Sequence, residues 1–431
     1  MATLLLLLLP TAAAIVDLSQ PLSEAPLLNA NRAACTLFDA VNTQTRGYVL
    51  LKGGVKVAEH YRDGVHNTST HTMWSVTKSW SSLLVGRLVD AGALTLSATL
   101  DQILPNSLDW STVEDGAAKR ATTLADVLTM TSGFVDPTGT AALSPQNSLV
   151  SVLNHATYSS TQVGSFNYLS STHLLSHVIH SASAQTNPDA YAQMAVFPAL
   201  GIDAGSYSWP TVAGSLQGSA YSLEMTVEQM AKLGQLYLQG GRSSAAQQLV
   251  SSSYVTSSTT YHEYWGEWPT SCGAASSEKF IGYGFQWWMQ RSKAAAADGT
   301  DIDYYCAIGH LGQFVCVYPS LDAVFATASD QYAGACALLG LVPSLLSAGA
   351  DAESEACTIP SVDSPTSGGT GGSAAIIAVA VGAAGSVLSL VLVKAAAFVY
   401  HTRRSRAGTK RSTPTAVHGA AQVSMQAGMA A

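Results

Sequence analysis

Two patterns in the sequence predict an α+β fold, with one antiparallel sheet flanked by N- and C-terminal helices and an all-helical lobe inserted between its halves. β-type runs occur near the start of the chain and return only near its end. The stretch between carries helical apolar spacing to about Leu238, broken at Pro105, Gly133, Pro137, Pro145 and Pro210. Distant strands joined in one sheet leave the intervening helices as a lobe beside it, with a cleft between the two. A third observation adds one C-terminal transmembrane helix. Residues 374–393 are 20 residues without a charge, enough to cross a hydrocarbon core of about 30 Å.

Taken in order, residues 1–16 read as a secretory signal, with leucines at positions 4–9, Pro10 and then small residues, although no basic residue precedes the leucines. Residues 26–41 have helical spacing. Residues 47–51 and 55–61 form a hairpin pattern around Lys52-Gly53-Gly54. A polar stretch, residues 63–71, leads into an apolar helix that starts near Ser75. Residues 123–130 read as another helix, stopped by Thr131-Ser132-Gly133. Late β-type runs are expected at 283–289, 314–318 and 323–328, with Pro319 in the turn between the last two, and a closing helix at 333–346. Residues 358–373, rich in Ser, Thr, Gly and Pro, are a flexible linker.

Charge is unevenly placed. Of 20 Lys and Arg, six lie from Lys394 onwards, where there are no acids; the preceding residues hold 14 bases against 28 acids, a net of −14. So acidic a body excludes nucleic acid as an expected partner. The basic residues that follow the apolar segment place residues 394–431 in the cytoplasm. A lipid-anchor signal would end in its apolar tail, and this chain continues. All six cysteines lie between the two apolar segments, which favours disulfides in an exported domain. Cys272 and Cys306 flank one loop and are the expected pair. Asn67-Thr68-Ser69 is a glycosylation sequon and implies a surface position.

Three segments carry candidate chemistry. In Trp74-Ser75-Val76-Thr77-Lys78-Ser79, Ser75 and Lys78 are nearly one helical turn apart and share a face. Burial of that helix favours a neutral lysine, able to act as a base towards the hydroxyl. Alone, the pattern fits a capping serine and a surface lysine as well. Tyr168, in Gly164-Ser-Phe-Asn-Tyr-Leu-Ser170, could move protons if its hydroxyl faced Lys78, whose ammonium would stabilise a phenolate; alone it fits a tyrosine capping a loop. Gly309-His310-Leu311-Gly312-Gln313 begins a late strand whose edge could hold an acyl substrate. There an N–H, that of Gln313, would join that of Ser75 in holding an oxyanion. Alone, His310 fits a hydrogen-bonded histidine in a tight turn.

Ser75-x-x-Lys78, Tyr168-x-Ser170 and His310-x-Gly312, in this order, resemble the three-motif series of the serine β-lactamase and penicillin-binding-protein superfamily, in its class C, esterase and D-aminopeptidase branch. Residues 74–79, 124–133, 225–241, 283–288 and 307–313 further resemble the 6-aminohexanoate-dimer hydrolase group, and the likeness covers roughly residues 25–345. The resemblance implies that Ser75 is acylated, Lys78 is its base, Tyr168 relays the proton to the leaving group, and His310 and Gly312 stand in the third motif. Where many β-lactamases have Lys-Thr-Gly, this chain has His310, so the cation that attracts a substrate carboxylate is missing. Ser170 stands where many relatives have Asn. Both changes point towards ester or amide cleavage and away from antibiotic hydrolysis.

The expected organisation is a signal peptide (1–16), a hydrolase domain (17–357), a linker (358–373), a span (374–393) and a basic tail (394–431). Such a protein is a single-pass type I membrane protein with the hydrolase domain extracellular or lumenal, acting on a small ester, amide or peptide. The alternative is an inactive relative serving as a binding ectodomain. No cofactor or metal is expected: His173, His177 and His180 share a helical face opposite Leu174, Leu175, Val178 and Ile179, which reads as a solvent side. Trp265, Trp268, Trp287 and Trp288 are expected in the core or lining the cleft.

Overall fold

The computed structural model describes residues 15–24, 45–135, 148–168, 172–211, 216–260, 263–269, 279–292 and 302–332, with Ala335, Cys336, Leu338, Leu339, Val342 and Leu346 beyond them. Residues 1–14, the helix expected at 26–41, Ser170, Cys272, the linker, the apolar segment and the basic tail lie outside the described residues. Among the described residues no helix is long and apolar enough to cross a membrane.

In chain order the elements are β1 (Thr45–Lys52), β2 (Val55–Tyr61), β3 (His71–Thr72), a 3-10 turn (Trp74–Val76), α1 (Thr77–Asp90), α2 (Leu100–Ile103), α3 (Gly116–Lys119), α4 (Leu124–Thr129), β4 (Ser132–Val135), α5 (Leu149–His155), β5 (Thr157–Val163), α6 (Leu174–Ser183) and α7 (Pro188–Ala195). There follow β6 (Glu224–Met225), α8 (Val227–Leu238), β7 (Arg242–Ser244), β8 (Gln247–Gln248), α9 (Ser252–Ser258), β9 (Glu263–Pro269), β10 (Lys279–Tyr283), β11 (Trp288–Ser292), β12 (Ile302–Gly309), β13 (Gln313–Tyr318) and β14 (Ala323–Ser329). Eight strands join in the order β2-β1-β14-β13-β12-β11-β10-β9, and every neighbouring pair is antiparallel. Early and late segments therefore do share one sheet.

Both faces of the sheet are covered, which is why β1 reads as a continuous apolar run and not as an alternating one. Val49 and Leu51 face the core formed with α1 and α8. Tyr48 and Leu50 face a second core, completed by Ala335, Leu338, Leu339 and Val342, all helical. α8 lies directly on the sheet because Gly234 has no side chain; a Cβ there would come within 2.5 Å of Val324 and 2.9 Å of Val315. The β1–β2 turn uses Gly53 and Gly54 at positive φ of 59° and 76°, as a tight hairpin requires.

Three expectations need correction. The inserted lobe is not all-helical: β4 and β5 pair within it. Gly133 at φ 75° turns the chain out of α4, and Thr157, Thr161 and Val163 suit an extended strand. The run at 283–289 is not one strand but the end of β10, a turn and the start of β11. In that turn Gly284 N–H donates to Trp287 O, and a Cβ on Gly284 would lie 2.1 Å from Ser258 O. Finally, Cys306 is bonded to Cys316 and not to Cys272. The two residues face each other across β12 and β13, with Cα atoms 4.2 Å apart, and such a cross-strand position is within disulfide reach. Cys336 is disulfide-bonded as well.

Candidate active site

Ser75 sits in the 3-10 turn that feeds α1, and Lys78 lies in the first turn of that helix. The preceding Trp74 holds a left-handed conformation at φ 48°, a conformation costly for a bulky residue and concentrated at functional sites. Both Ser75 and Lys78 are buried, Lys78 to 1 % exposure. Lys78 Nζ lies 2.8 Å from Ser75 Oγ and donates to Ala220 O at 2.9 Å. Burial pushes the lysine down to about 7 from its ordinary value of 10.5. A neutral amine is therefore well populated at neutral pH beside the hydroxyl.

Tyr168 follows β5, which pairs antiparallel with β4. Its loop is held by Gly164 N–H donating to Thr131 O at 2.9 Å and by Asn167 N–H donating to Met130 O at 2.8 Å. The hydroxyl is hydrogen-bonded with Ser75 and with Trp288. Lys78 Nζ stands 5.1 Å from the centre of the Tyr168 ring, a cation–π distance when the amine is charged. The ring packs against Trp288 at 5.2 Å and Tyr283 at 6.2 Å. Burial, the largest influence, pushes the phenol well above its ordinary value, against the opposing hydrogen bond from Ser75. The phenol is thus protonated at neutral pH. Loss of hydration leaves the neutral phenol, not a phenolate, beside Ser75.

The third segment closes the β12–β13 hairpin. Gly309 pairs with Gln313, and Leu311 and Gly312 in the turn have positive φ of 64° and 90°. A Cβ on Gly309 would lie 2.3 Å from Met73 O, so this glycine lets the strand end meet the backbone just ahead of Ser75. β11 pairs with β12 only from Ile302 to Cys306, and residues 307–309 run past it towards Ser75. His310, half-buried, places its ring edge-on to Trp74 at 5.1 Å and Tyr332 at 5.9 Å. At Gly312 the close neighbour is Ala335, 2.7 Å from a would-be Cβ. Gln313 is buried, its side-chain amide donating to His310 O at 3.1 Å and Ser329 O at 2.6 Å and accepting from Ser329 N–H at 3.1 Å.

Ser75, Lys78, Tyr168 and the His310 turn thus converge, while Ser170 lies outside the described residues. Nothing in the sequence singles out Ala220, which binds Lys78 through its backbone carbonyl. Trp288 was legible only as an aromatic for core or cleft. Among the described residues no cluster of His, Cys, Asp or Glu could hold a metal. His180 is exposed, whereas His177 is half-buried, and burial, followed by the charge of His180, pushes its imidazole down to about 4.

The profile of the Beta-lactamase family matches residues 39–335. No curated protein matches the chain. Among solved structures it is similar to a Bacillus anthracis protein assigned to the 6-aminohexanoate-dimer hydrolases, at 18 % identity and TM-score 0.55, over 78 % of this chain and 88 % of that one. A class C beta-lactamase from Rhodobacter sphaeroides gives 18 % and 0.52, over 74 % and 99 %. A D-stereospecific amidohydrolase from a Streptomyces species gives 14 % and 0.53, over 72 % and 98 %. At these identities the likeness is one of fold.

Proposed function

The chain belongs to the beta-lactamase family of serine hydrolases, and from that premise we propose that it cleaves an ester or amide bond through an acyl-enzyme on Ser75. The observation that carries this is the buried pair of Lys78 Nζ and Ser75 Oγ at 2.8 Å, with the Tyr168 hydroxyl bonded to the same serine. Ser75 Oγ attacks the carbonyl carbon as Lys78 takes its proton. The proton passes by way of the neutral Tyr168 phenol to the leaving alcohol or amine as the carbon–heteroatom bond breaks. Water, deprotonated by the same groups, then attacks the ester carbonyl and releases the acid, returning the proton to Ser75. The N–H of Ser75, with that of Gln313 at the start of β13, is assigned to the oxyanion.

His310 and the rings around it present no fixed cation where many relatives carry lysine, which suits an uncharged acyl group. Residues 307–309, running past β11, suit an extended substrate laid along the strand end. A fluorophosphonate probe should label Ser75, and a p-nitrophenyl ester should be turned over by the wild type and not by Ser75→Ala. Equal rates for the two would refute the assignment.

The anchored topology is part of the same proposal, with residues 374–393 as the span and the hydrolase domain outside the cytoplasm. The disulfides support it, because such bonds persist in oxidising compartments.

A further inference from the structure

We infer that Gln286, in the turn between β10 and β11, is a positioning residue that holds Tyr168 and Lys78 in register with Ser75. This rests on the roles proposed for those three residues. Gln286 is 1 % exposed and has φ 66°, a conformation that a side chain adopts only when its surroundings fix it. Its contacts reach three segments that lie far apart in the chain. Nε2 donates to Leu128 O at 2.6 Å and Val127 O at 3.4 Å, at the end of α4. Its backbone N–H donates to Gly284 O at 2.9 Å and Leu128 O at 3.2 Å. Its backbone carbonyl accepts from Ser79 Oγ at 2.7 Å, one residue past Lys78. Oε1 accepts from Thr172 Oγ1 at 3.4 Å and Tyr283 Oη at 3.5 Å.

Each contact leads to one reacting group. Leu128 is two residues from Met130, whose carbonyl holds the Tyr168 loop through Asn167. Ser79 is on the helix that carries Lys78. Thr172 accepts at its carbonyl from Ser219 Oγ at 2.7 Å, and Ser219 precedes Ala220, whose carbonyl receives Lys78 Nζ. The helix end offers carbonyls that only accept, so it needs the amide nitrogen that glutamine provides. Glutamate would turn an anion onto those carbonyls and onto the negative end of the helix dipole.

The test is a double-mutant cycle on the full chain with a p-nitrophenyl ester. Gln286→Leu is expected to lower kcat by about 10- to 100-fold with KM changed by less than about threefold, as small misplacements of reacting groups do. In a Tyr168→Phe background the same change should cost clearly less, the remaining loss being the part that acts through Lys78. An equal loss in both backgrounds, or none in either, overturns the inference. If Gln286→Leu does not fold, Ser79→Ala removes only the tether between the Gln286 carbonyl and the helix that carries Lys78, and should show a smaller loss that persists in the Tyr168→Phe background; full activity there overturns it too. A wild type without turnover refutes the catalytic reading itself and the inference with it, whereas an active wild type with an additive cycle refutes the inference alone.

Discussion

Lys78 concentrates the chemistry in one side chain. Because its folded value is about 7, the amine gains its base form as pH rises through 7. The kcat/KM of a neutral ester should climb with an acid limb centred there, and a limb centred near 5 or near 9 would remove Lys78 as the base. The same burial has a stability signature. The unfolded chain keeps the proton up to about 10.5 while the folded chain releases it near 7. Between these values the unfolded state binds more protons, so stability rises with pH across that window and the cost of burial is complete below it. Lys78→Met removes this dependence. Denaturant unfolding should show the variant gaining on the wild type by on the order of a few kcal/mol at pH 7, with the gap narrowing towards pH 10. Tyr168→Phe should lower kcat by about 100-fold or more, with the fold intact by circular dichroism.

At the scale of elements, the β12–β13 hairpin matters most, since it meets the nucleophile turn directly. Gly309→Ala puts a Cβ 2.3 Å from a backbone oxygen, that of Met73, and neither partner is a flexible side-chain end. The strand must move away from Ser75, and kcat should fall by about 10-fold or more while thermal stability drops by roughly 1–3 kcal/mol. Unchanged kinetics would mean that the strand end does not position the site. The same hairpin is clamped by Cys306 and Cys316, ten residues apart and both fully buried. A Cys306→Ala, Cys316→Ala variant should lose roughly 2–3 kcal/mol, read from denaturant midpoints. A loss of that size without a fall in kcat would show that strand pairing alone holds the turn.

At the scale of the whole molecule, the proposal joins a hydrolase domain to a membrane span through a flexible linker. Asn67 is exposed in a turn ahead of β3, where a glycan could be attached without disturbing the core. Expressed in a eukaryotic host, the protein should lose mass on glycosidase treatment, and Asn67→Gln should remove that shift. Protease applied to intact cells should release the hydrolase domain and spare the basic tail; a protected domain would refute the topology.

The sequence by itself determined what depends on near neighbours. Ser75 and Lys78 share a face because helical spacing is local, and the hairpin at Gly53 and Gly54 follows from two residues that tolerate positive φ. The α+β class was legible because strand-forming runs stood at both ends of a helical stretch. The Cys306–Cys316 pair was legible in principle, since the cysteines lie five residues either side of Leu311, but only once β12 is recognised as a strand. Tertiary structure alone decided the protonation state of Tyr168, the carbonyl of Ala220 that orients the Lys78 amine, and the junction at Gln286. These arise where segments distant in the chain exclude water from one another, and both loss of hydration and backbone hydrogen bonding depend on three-dimensional surroundings that no single stretch of sequence contains.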